Sequence, residues 1–203
     1  MNRIKERLCI FKSVWSFKFF RFKNIVLPNL RSKVNRSIAC DVQSDQPFYL
    51  TGAGYAEIRE GVRFGYRPGG FFHHGSIEIQ PRTPESAIII GERVTTNNNL
   101  FICAANHISI GADTLIGQYV TIMDHEAHGI RPEDRRKVGK IGEVIIGSNV
   151  WIGNNVVILK DTYIGDNTVV AAGAIVSGHF PANAIIGGVP AKFIKYIDEQ
   201  IRL

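Results

Sequence analysis

Aliphatic residues recur at intervals of six in the second half of the chain. The aliphatic series is Ile146, Ile152, Ile158, Ile164, Val170 and Val176, and a series of small or β-branched residues lies two positions earlier: Val144, Val150, Val156, Thr162, Thr168 and Ala174. A period of six fits neither an α-helix nor a long alternating strand. It fits a chain that turns a corner after every short strand, so that three strands complete a triangular coil of about 18 residues.

Glycine and asparagine punctuate the same pattern. They stand where corners are expected, at Gly147, Asn149, Gly153, Asn155, Gly165 and Asn167. Both residue types tolerate backbone conformations that β-branched residues avoid. The phase extends upstream through Ile110, Ile116 and Ile122. The sequence therefore predicts an all-β fold, a parallel β-helix over residues 46–190, whose early coils (46–86) are degenerate and contain one excursion.

The period breaks between Met123 and Glu143, where the sequence becomes polar and charged. Ile122 and Ile146 are separated by a multiple of six, so the repeat resumes in phase. We therefore predict a loop at 123–143 that projects from a rigid scaffold. Such loops often carry functional residues, and this one contains His125 and His128.

Positive charge is concentrated at the N-terminus. Residues 1–36 hold ten Lys or Arg against one Glu, whereas the remaining residues are mildly acidic. A partly helical, basic arm is expected over residues 1–45. The segment 1–36 is interpreted either as a peripheral membrane contact or as a structural arm, and nucleic-acid binding is disfavoured by the acidic remainder. Residues 191–203 have apolar residues at helical spacing and are expected to form a short C-terminal helix.

Three scattered cysteines, Cys9, Cys40 and Cys103, form neither a complete disulfide set nor a metal-ligand spacing. No apolar run approaches the length of a transmembrane helix. These features favour a cytoplasmic protein, with a peripheral position at the inner face of the membrane as the alternative.

The stretches VWIG (150–153) and GGVPAK (187–192) resemble the C-terminal half of hexapeptide-repeat O-acetyltransferases. This group contains maltose, galactoside and nodulation-factor acetyltransferases and bacterial polysaccharide O-acetyltransferases. The resemblance covers residues 87–196. It implies a left-handed β-helix, a homotrimer, acetyl-CoA as co-substrate and no metal. The N-terminus lacks the pattern of the simple-sugar enzymes, so the expected acceptor is a hydroxyl of a surface polysaccharide or of a lipid- or nucleotide-linked sugar.

The family's general base is a histidine in a loop that precedes the VWIG coil. Such a base removes the proton of a sugar hydroxyl as it attacks the thioester, and an imidazole suits this task near neutral pH. His128 is favoured because Pro132, Glu133 and Arg135 follow it as in the family motif, and His125 is the alternative. The resemblance also places Trp151 beside the acetyl group.

The resemblance further implies a groove for acetyl-CoA. Its expected contacts are Asn97, Asn154, Ala172, Ser177, Lys192 and Lys195. The two lysines would bind the nucleotide phosphates as point charges. Where the family often has Thr-Lys, this chain has Ser177-Gly178, which removes one phosphate contact.

Three other functions remain open from the sequence. The enzyme could acetylate the nitrogen of an amino sugar or another small molecule. A γ-type carbonic anhydrase uses the same scaffold and would need three zinc-binding histidines, for which His107, His125 and His128 are the only plausible set. The third is a noncatalytic β-helix trimer.

Overall fold

The computed structural model describes residues 16 and 18–197. The chain winds into a prism with three faces, each a stack of short parallel strands. Face 1 contains β1 (Asn35–Ile38), β4 (Tyr55–Ile58), β7 (Ala87–Ile90), β10 (His107–Ile110) and β13 (Glu143–Ile146). Face 2 contains β2 (Gln43–Ser44), β5 (Arg63–Phe64), β8 (Thr95–Thr96), β11 (Leu115–Ile116), β14 (Trp151–Ile152), β16 (Val169–Val170) and β18 (Ala184–Gly188). Face 3 contains β3 (Phe48–Leu50), β6 (Ile77–Pro81), β9 (Phe101–Ala104) and β12 (Thr121–Met123). Two longer strands, β15 (Val157–Ile164) and β17 (Ile175–Phe180), turn from face 3 into face 1.

The six-residue period fills the interior of the prism. Ile110 pairs in register with Ile146, and Ile146 pairs with Ile164 on the next coil. Every member of the two predicted series is buried. The threonines among them remain satisfied: the Thr162 hydroxyl donates to Leu159 O at 2.6 Å and the Thr168 hydroxyl to Pro181 O at 2.9 Å. The predicted solenoid and its inward-facing positions are confirmed.

Asparagine and glycine have different roles at the corners. Asn149, Asn155 and Asn167 adopt the left-handed backbone conformation, with φ of 54°, 58° and 58°, as the corner argument predicts. The neighbouring glycines are required for a different reason. A Cβ on Gly153 would lie 2.6 Å from the backbone nitrogen of Ala172 on the next coil. Glycine here permits close stacking of the coils.

The prism begins at β1, so the predicted domain boundary at residue 46 is wrong and the first coil includes part of the expected arm. Residues 18–21 are helical and continue into a π-helical segment, Phe22–Val26, and a 3₁₀ turn, Leu27–Asn29. This segment covers the open end of the prism. Its side chains donate to carbonyl groups that no preceding coil can satisfy: Arg21 to Val42 O, Asn24 to Ser44 O, Asn29 to Phe48 O and Ser32 to Leu50 O.

These contacts support the structural interpretation of the arm for residues 18–34. The apolar side chains of Ile25 and Val34 are buried in the same core as the coils. None of these contacts supports membrane association. Residues 1–15 and 17, which carry four of the ten basic residues of the segment 1–36, lie outside the described residues. No helix within the described ranges is long and apolar enough to cross a membrane.

The C-terminal helix predicted for residues 191–203 is wrong where the structure describes it. Ala191–Tyr196 forms β19, which pairs antiparallel with β18 and covers the edge of face 2. Phe193, Ile194 and Ile197, whose spacing indicated a helix, are exposed and have no core to face. Pairing with the free edge of β18 satisfies the backbone instead. Residues 198–203 lie outside the described residues.

Candidate active site

The loop between β12 and β13 is held at its base by a buried carboxylate. Asp124 is fully buried, and its two oxygens accept the backbone N–H groups of Ala105 and Asn106 at 2.7 and 2.8 Å. The same carboxylate lies 2.8 Å from Nδ1 of His125. The loop therefore begins as a fixed Asp–His pair at the corner between faces 3 and 1.

The neighbours of His125 define which ring nitrogen carries hydrogen. The Asp124 carboxylate accepts, so Nδ1 of His125 donates to it. On the other side Nε2 lies 3.5 Å from Nη1 of Arg82, which can only donate. The lone pair of Nε2 thus points away from Asp124. A carboxylate that orients an imidazole in this way is the arrangement of a general base.

His128 occupies a different environment. It is exposed on the loop, and its Nδ1 lies 2.8 Å from the backbone carbonyl of Arg135, to which it donates. The loop is stabilised around it by Glu126, whose carboxylate accepts the backbone N–H of Lys140 at 3.0 Å. Its Nε2 therefore faces solvent, without a carboxylate to hold the ring.

Cys103 lies beside the Asp–His pair, on the adjacent strand of face 3. It is fully buried, and its Sγ is 3.7 Å from Oε1 of Gln80. Burial raises the pKa of the Cys103 thiol, although the positive charge of Arg82 acts in the opposite direction. Cys103 therefore remains a neutral thiol and packs beneath the polar groups.

A shallow groove runs along the opposite edge of face 3, where it meets face 2. Three residues expected at the cofactor site, Asn97, Trp151 and Asn154, line this groove together. Trp151 is 58% exposed, and its indole N–H donates to none of the described residues. Its neighbours in register on face 2 are Leu115 and Val169. The structure thus brings together an exposed aromatic surface and two amide side chains.

The corner along which this groove runs is built from small residues. Successive coils place the following residues in one row: Asn97, Gly117, Gly153, Ala171 and Gly187. Adjacent coils lie about 4.8 Å apart, so the row extends over about 19 Å. Beside it Ala172 is exposed, and a Cβ on Gly173 would meet no atom within 4 Å. The corner offers a long, unobstructed path for an extended ligand.

Two of the remaining cofactor candidates lie at the C-terminal end of this row. Lys192 and Lys195 are on β19, where they pair with Gly187 and Ile185 of β18. Ser177 is exposed on β17 at the bend from face 3 into face 1, so it lies at the other edge of face 3. The path therefore ends at lysine side chains, as a ligand with terminal phosphates would require.

One protomer does not bring all the candidate residues together. The histidines lie at the corner between faces 3 and 1, whereas Trp151, Asn97 and Asn154 lie at the corner between faces 2 and 3. The width of face 3 separates them. The zinc arrangement does not form either: among the described residues, no group of three or more His, Cys, Asp or Glu side chains could hold a metal ion.

Sequence reasoning missed Arg82. It lies 43 residues before His125 and has no motif around it, so only the stacking of coils shows the contact. In the sequence, Asp124, Glu126 and the backbone carbonyl groups of the loop are all within reach of the histidine. The contacts of the two Asp124 oxygens identify Asp124 as the partner.

Residues 143–178 match a family described as "Bacterial transferase hexapeptide (six repeats)". The chain is 36% identical over 126 residues to the putative lipopolysaccharide biosynthesis O-acetyl transferase WbbJ of Escherichia coli (strain K12), covering 57% of this chain and 64% of that protein. It is 38% identical over 119 residues to the galactoside O-acetyltransferase of the same organism, covering 57% of each chain. The chain thus spans less than two thirds of the length of these relatives.

Solved structures show the same architecture. The polySia-specific acetyltransferase NeuO superposes with a TM-score of 0.66 at 26% identity, covering 80% of this chain and 72% of that one. A hexapeptide-repeat-containing acetyltransferase from Vibrio cholerae superposes with a TM-score of 0.52 at 31% identity, covering 55% of this chain and 64% of that one.

Proposed function

We propose that the chain, a left-handed β-helix whose residues 143–178 match the bacterial transferase hexapeptide family, is an acetyl-CoA-dependent O-acetyltransferase. The acceptor is a hydroxyl of a surface polysaccharide or of a lipid- or nucleotide-linked sugar. WbbJ and galactoside O-acetyltransferase, both named as O-acetyltransferases, support this assignment. The observation that carries it is the buried Asp124–His125 pair, since it holds an oriented imidazole ring on a scaffold shared with acetyltransferases.

The reaction is a direct transfer. The acceptor oxygen attacks the thioester carbonyl carbon while its proton passes to Nε2 of the histidine. The C–S bond then breaks, and the thiolate of CoA takes the proton from the imidazolium. The Asp124 carboxylate orients the ring and stabilises its transient positive charge, as carboxylates do beside catalytic histidines.

The groove between faces 2 and 3 is suited to acetyl-CoA. The pantetheine arm lies along the small residues of the corner, next to Ala172, where larger side chains would obstruct it. Trp151 lies beside the acetyl group. The side chains of Asn97 and Asn154, which line the same groove, can form hydrogen bonds with polar atoms of the cofactor. Lys192 and Lys195, on β19 at the end of this corner, would bind the phosphates.

A homotrimer completes the site. Since face 3 separates the histidine from the groove within one protomer, the base of one protomer must meet the groove of a neighbour. Trp151 and Leu115 are exposed on face 2, and their burial between subunits would remove apolar surface from water. Three protomers related by a threefold axis form a closed assembly with three such sites.

Between the two histidines, the structure favours His125 as the base, although the family motif favoured His128. His125 is held by a buried carboxylate at the end of a strand, and catalytic groups on rigid elements keep their geometry. His128 has only a backbone carbonyl as its partner and lies on the exposed loop.

The test compares His125→Ala with His128→Ala in an assay of CoA release and acetyl transfer. We expect His125→Ala to lower kcat by about 10²–10⁴-fold and His128→Ala by less than about tenfold. Binding of CoA, measured by calorimetry, should be unchanged in both. A larger loss in His128→Ala would reverse the assignment, and a protein that neither binds acetyl-CoA nor releases CoA would refute the proposed function.

The stability of the product to alkali distinguishes acetyl transfer to oxygen from acetyl transfer to nitrogen. An acetyl ester is cleaved by mild alkali, whereas an acetamide survives it. Release of the transferred acetyl group at high pH is the expected result. An alkali-stable product would assign the enzyme to amino-sugar N-acetylation.

A further inference from the structure

The outward side of β6 carries an uninterrupted polar strip. Ile77, Ile79 and Pro81 point into the prism, so Ser76, Glu78, Gln80 and Arg82 share the opposite side. Adjacent members are connected: the Ser76 hydroxyl donates to Glu78 Oε1 at 3.2 Å, and Gln80 Nε2 lies 3.5 Å from Glu78 Oε2. We call these four residues the β6 strip.

The neighbouring coils lack such a strip. In register with Glu78 and Gln80, the next coil has Phe101 and Cys103, and the one after it has Thr121 and Met123. The polar side chains are therefore not a general property of face 3. They lead along one strand from the excursion at 65–76 to the Asp124–His125 pair.

Arg82, at the end of the strip, is a cation with unused donors. Its side chain is exposed, and its one polar contact among the described residues is the 3.5 Å approach of Nη1 to His125 Nε2. No carboxylate of the described residues lies within 4.0 Å of it. The carboxylate of Asp124, next to His125 in the sequence, already accepts hydrogen bonds from two backbone N–H groups and from His125.

A guanidinium with free N–H groups matches a carboxylate, because the two planar groups can form parallel hydrogen bonds. Because Arg82 lies next to Nε2 of His125, binding of a carboxylate to Arg82 would also affect the base. A ligand carboxylate that binds the outer edge of Arg82 would draw it from Nε2, and the nitrogen would then be open to the acceptor hydroxyl.

Resting on the proposed function, we propose that the acceptor is a sugar that carries a carboxylate. Arg82 binds this carboxylate beside the base. Gln80 and Glu78 bind hydroxyl groups of the same or the adjoining sugar, for which the strip offers both donors and acceptors. The reacting hydroxyl is then delivered to Nε2 of His125, and neutral sugars are poor acceptors because they leave Arg82 against the base.

The experiment uses an array of oligosaccharides in matched pairs, each a uronic- or sialic-acid-containing glycan and its carboxyl methyl ester. Transfer of labelled acetyl from acetyl-CoA is measured with the full-length protein, with Arg82→Gln and with Arg82→Lys. Arg59→Gln serves as the control, since Arg59 is an exposed arginine of face 1 that pairs with Glu57. Melting temperature and the KM for acetyl-CoA are recorded for each variant.

The unaltered protein should label carboxylated glycans at least about tenfold more efficiently than their esters. Arg82→Gln should lower kcat/KM for the acids by roughly tenfold to a hundredfold, while the KM for acetyl-CoA stays within about twofold. The same variant should raise kcat/KM for the esters, because the guanidinium no longer covers Nε2 of His125. Arg82→Lys should recover part of the loss because it restores the charge without the planar fork. Arg59→Gln should resemble the unaltered protein.

Three results would overturn the inference. They are an equal loss on acids and esters, a gain on esters without loss on acids, and the absence of labelling of any carboxylated glycan. A rise in the KM for acetyl-CoA alone would assign Arg82 to a phosphate of the cofactor. None of these would by itself refute the acetyltransferase assignment, which fails only if acetyl-CoA is neither bound nor turned over.

Discussion

Three consecutive asparagines perform three different tasks. Asn97 lines the groove beside Trp151, and Asn99 turns a corner with φ of 62°. Asn98 is fully buried between them and anchors the excursion at 65–76. Its Nδ2 donates to Tyr66 O at 3.0 Å and to Gly70 O at 2.9 Å, while its Oδ1 accepts the Tyr66 N–H at 2.9 Å.

Replacement of Asn98 should therefore be costly. Asn98→Ala leaves several backbone groups of the excursion unpaired, and we expect the free energy of unfolding to fall by about 2–4 kcal/mol in urea denaturation. Asn106→Ala is the matched control, since Asn106 is exposed and donates a single hydrogen bond from its amide to Gly142 O. It should cost less than about 1 kcal/mol. Equal effects would show that the anchor contributes little.

At the scale of single residues, the sequence indicates which residues belong to the site but not which other residues they contact. Asn97 was predicted as a cofactor contact, and asparagine is in general typical of corners, but nothing in the sequence marks Asn98 as an anchor. The histidine loop was predicted, yet the orientation of His125 by Asp124 and its contact with Arg82 depend on which coils are adjacent. Such contacts join residues far apart in the chain, so no local pattern records them.

The coil is the element from which the molecule is built, and its corners set how closely coils approach. A corner combines a residue in the left-handed conformation with a glycine that faces the backbone of the next coil. The first requirement can be met by several residue types, since Arg93, Asp113 and Tyr119 also adopt positive φ. At Gly117 and Gly153 the second admits only glycine, because a Cβ would lie 2.7 Å from Asn154 N and 2.6 Å from Ala172 N, respectively.

Gly153→Ala tests this requirement. Its Cβ would meet Ala172 N at 2.6 Å, and because the obstacle is backbone, the coils must separate. We expect the free energy of unfolding to fall by about 1–3 kcal/mol, measured by chemical denaturation. Gly70→Ala is the comparison, since its Cβ would meet only the end of the Gln118 side chain at 3.3 Å and should change stability by about 0.5 kcal/mol or less. Similar losses at the two sites would contradict the argument.

Elements with the six-residue period were predictable because inward and corner positions repeat together. The ends were not, because they do not repeat. The apolar spacing after Pro190 fits a helix as well as a short strand, and the free edge of β18 decides between them. The first coil could not be predicted for a similar reason. Its strands β1 and β2 are polar outside and contain few of the aliphatic, glycine and asparagine residues that identify the repeat.

The whole molecule is a stack closed at both ends by segments that do not belong to the repeat. The arm closes the N-terminal end through Arg21, Asn24, Asn29 and Ser32. At the other end, β19 reverses direction and covers the last parallel strand of face 2. Solenoids need such caps because an open coil exposes both apolar core and unpaired backbone.

Removal of residues 1–33 should therefore cause self-association. The truncated protein would expose four carbonyl groups of the first coil and the buried site of Ile25. We expect species larger than those of the full-length chain in analytical ultracentrifugation, with a lower melting temperature. Removal of residues 1–15 is the control, because it leaves these capping contacts in place. Identical size distributions for the two truncated proteins would refute the capping role.

The stack also continues across its largest interruption. β10 and β13 flank the histidine loop in sequence, yet they pair directly, with Ile110 against Ile146. The coils and the loop are therefore under different structural constraints. Changes within the coils are constrained by the neighbours above and below, whereas the loop can be lengthened, shortened or exchanged without altering a single ladder contact. A scaffold of this kind can vary the segment that projects beyond its Asp–His pair while the coils above and below are passed on unchanged.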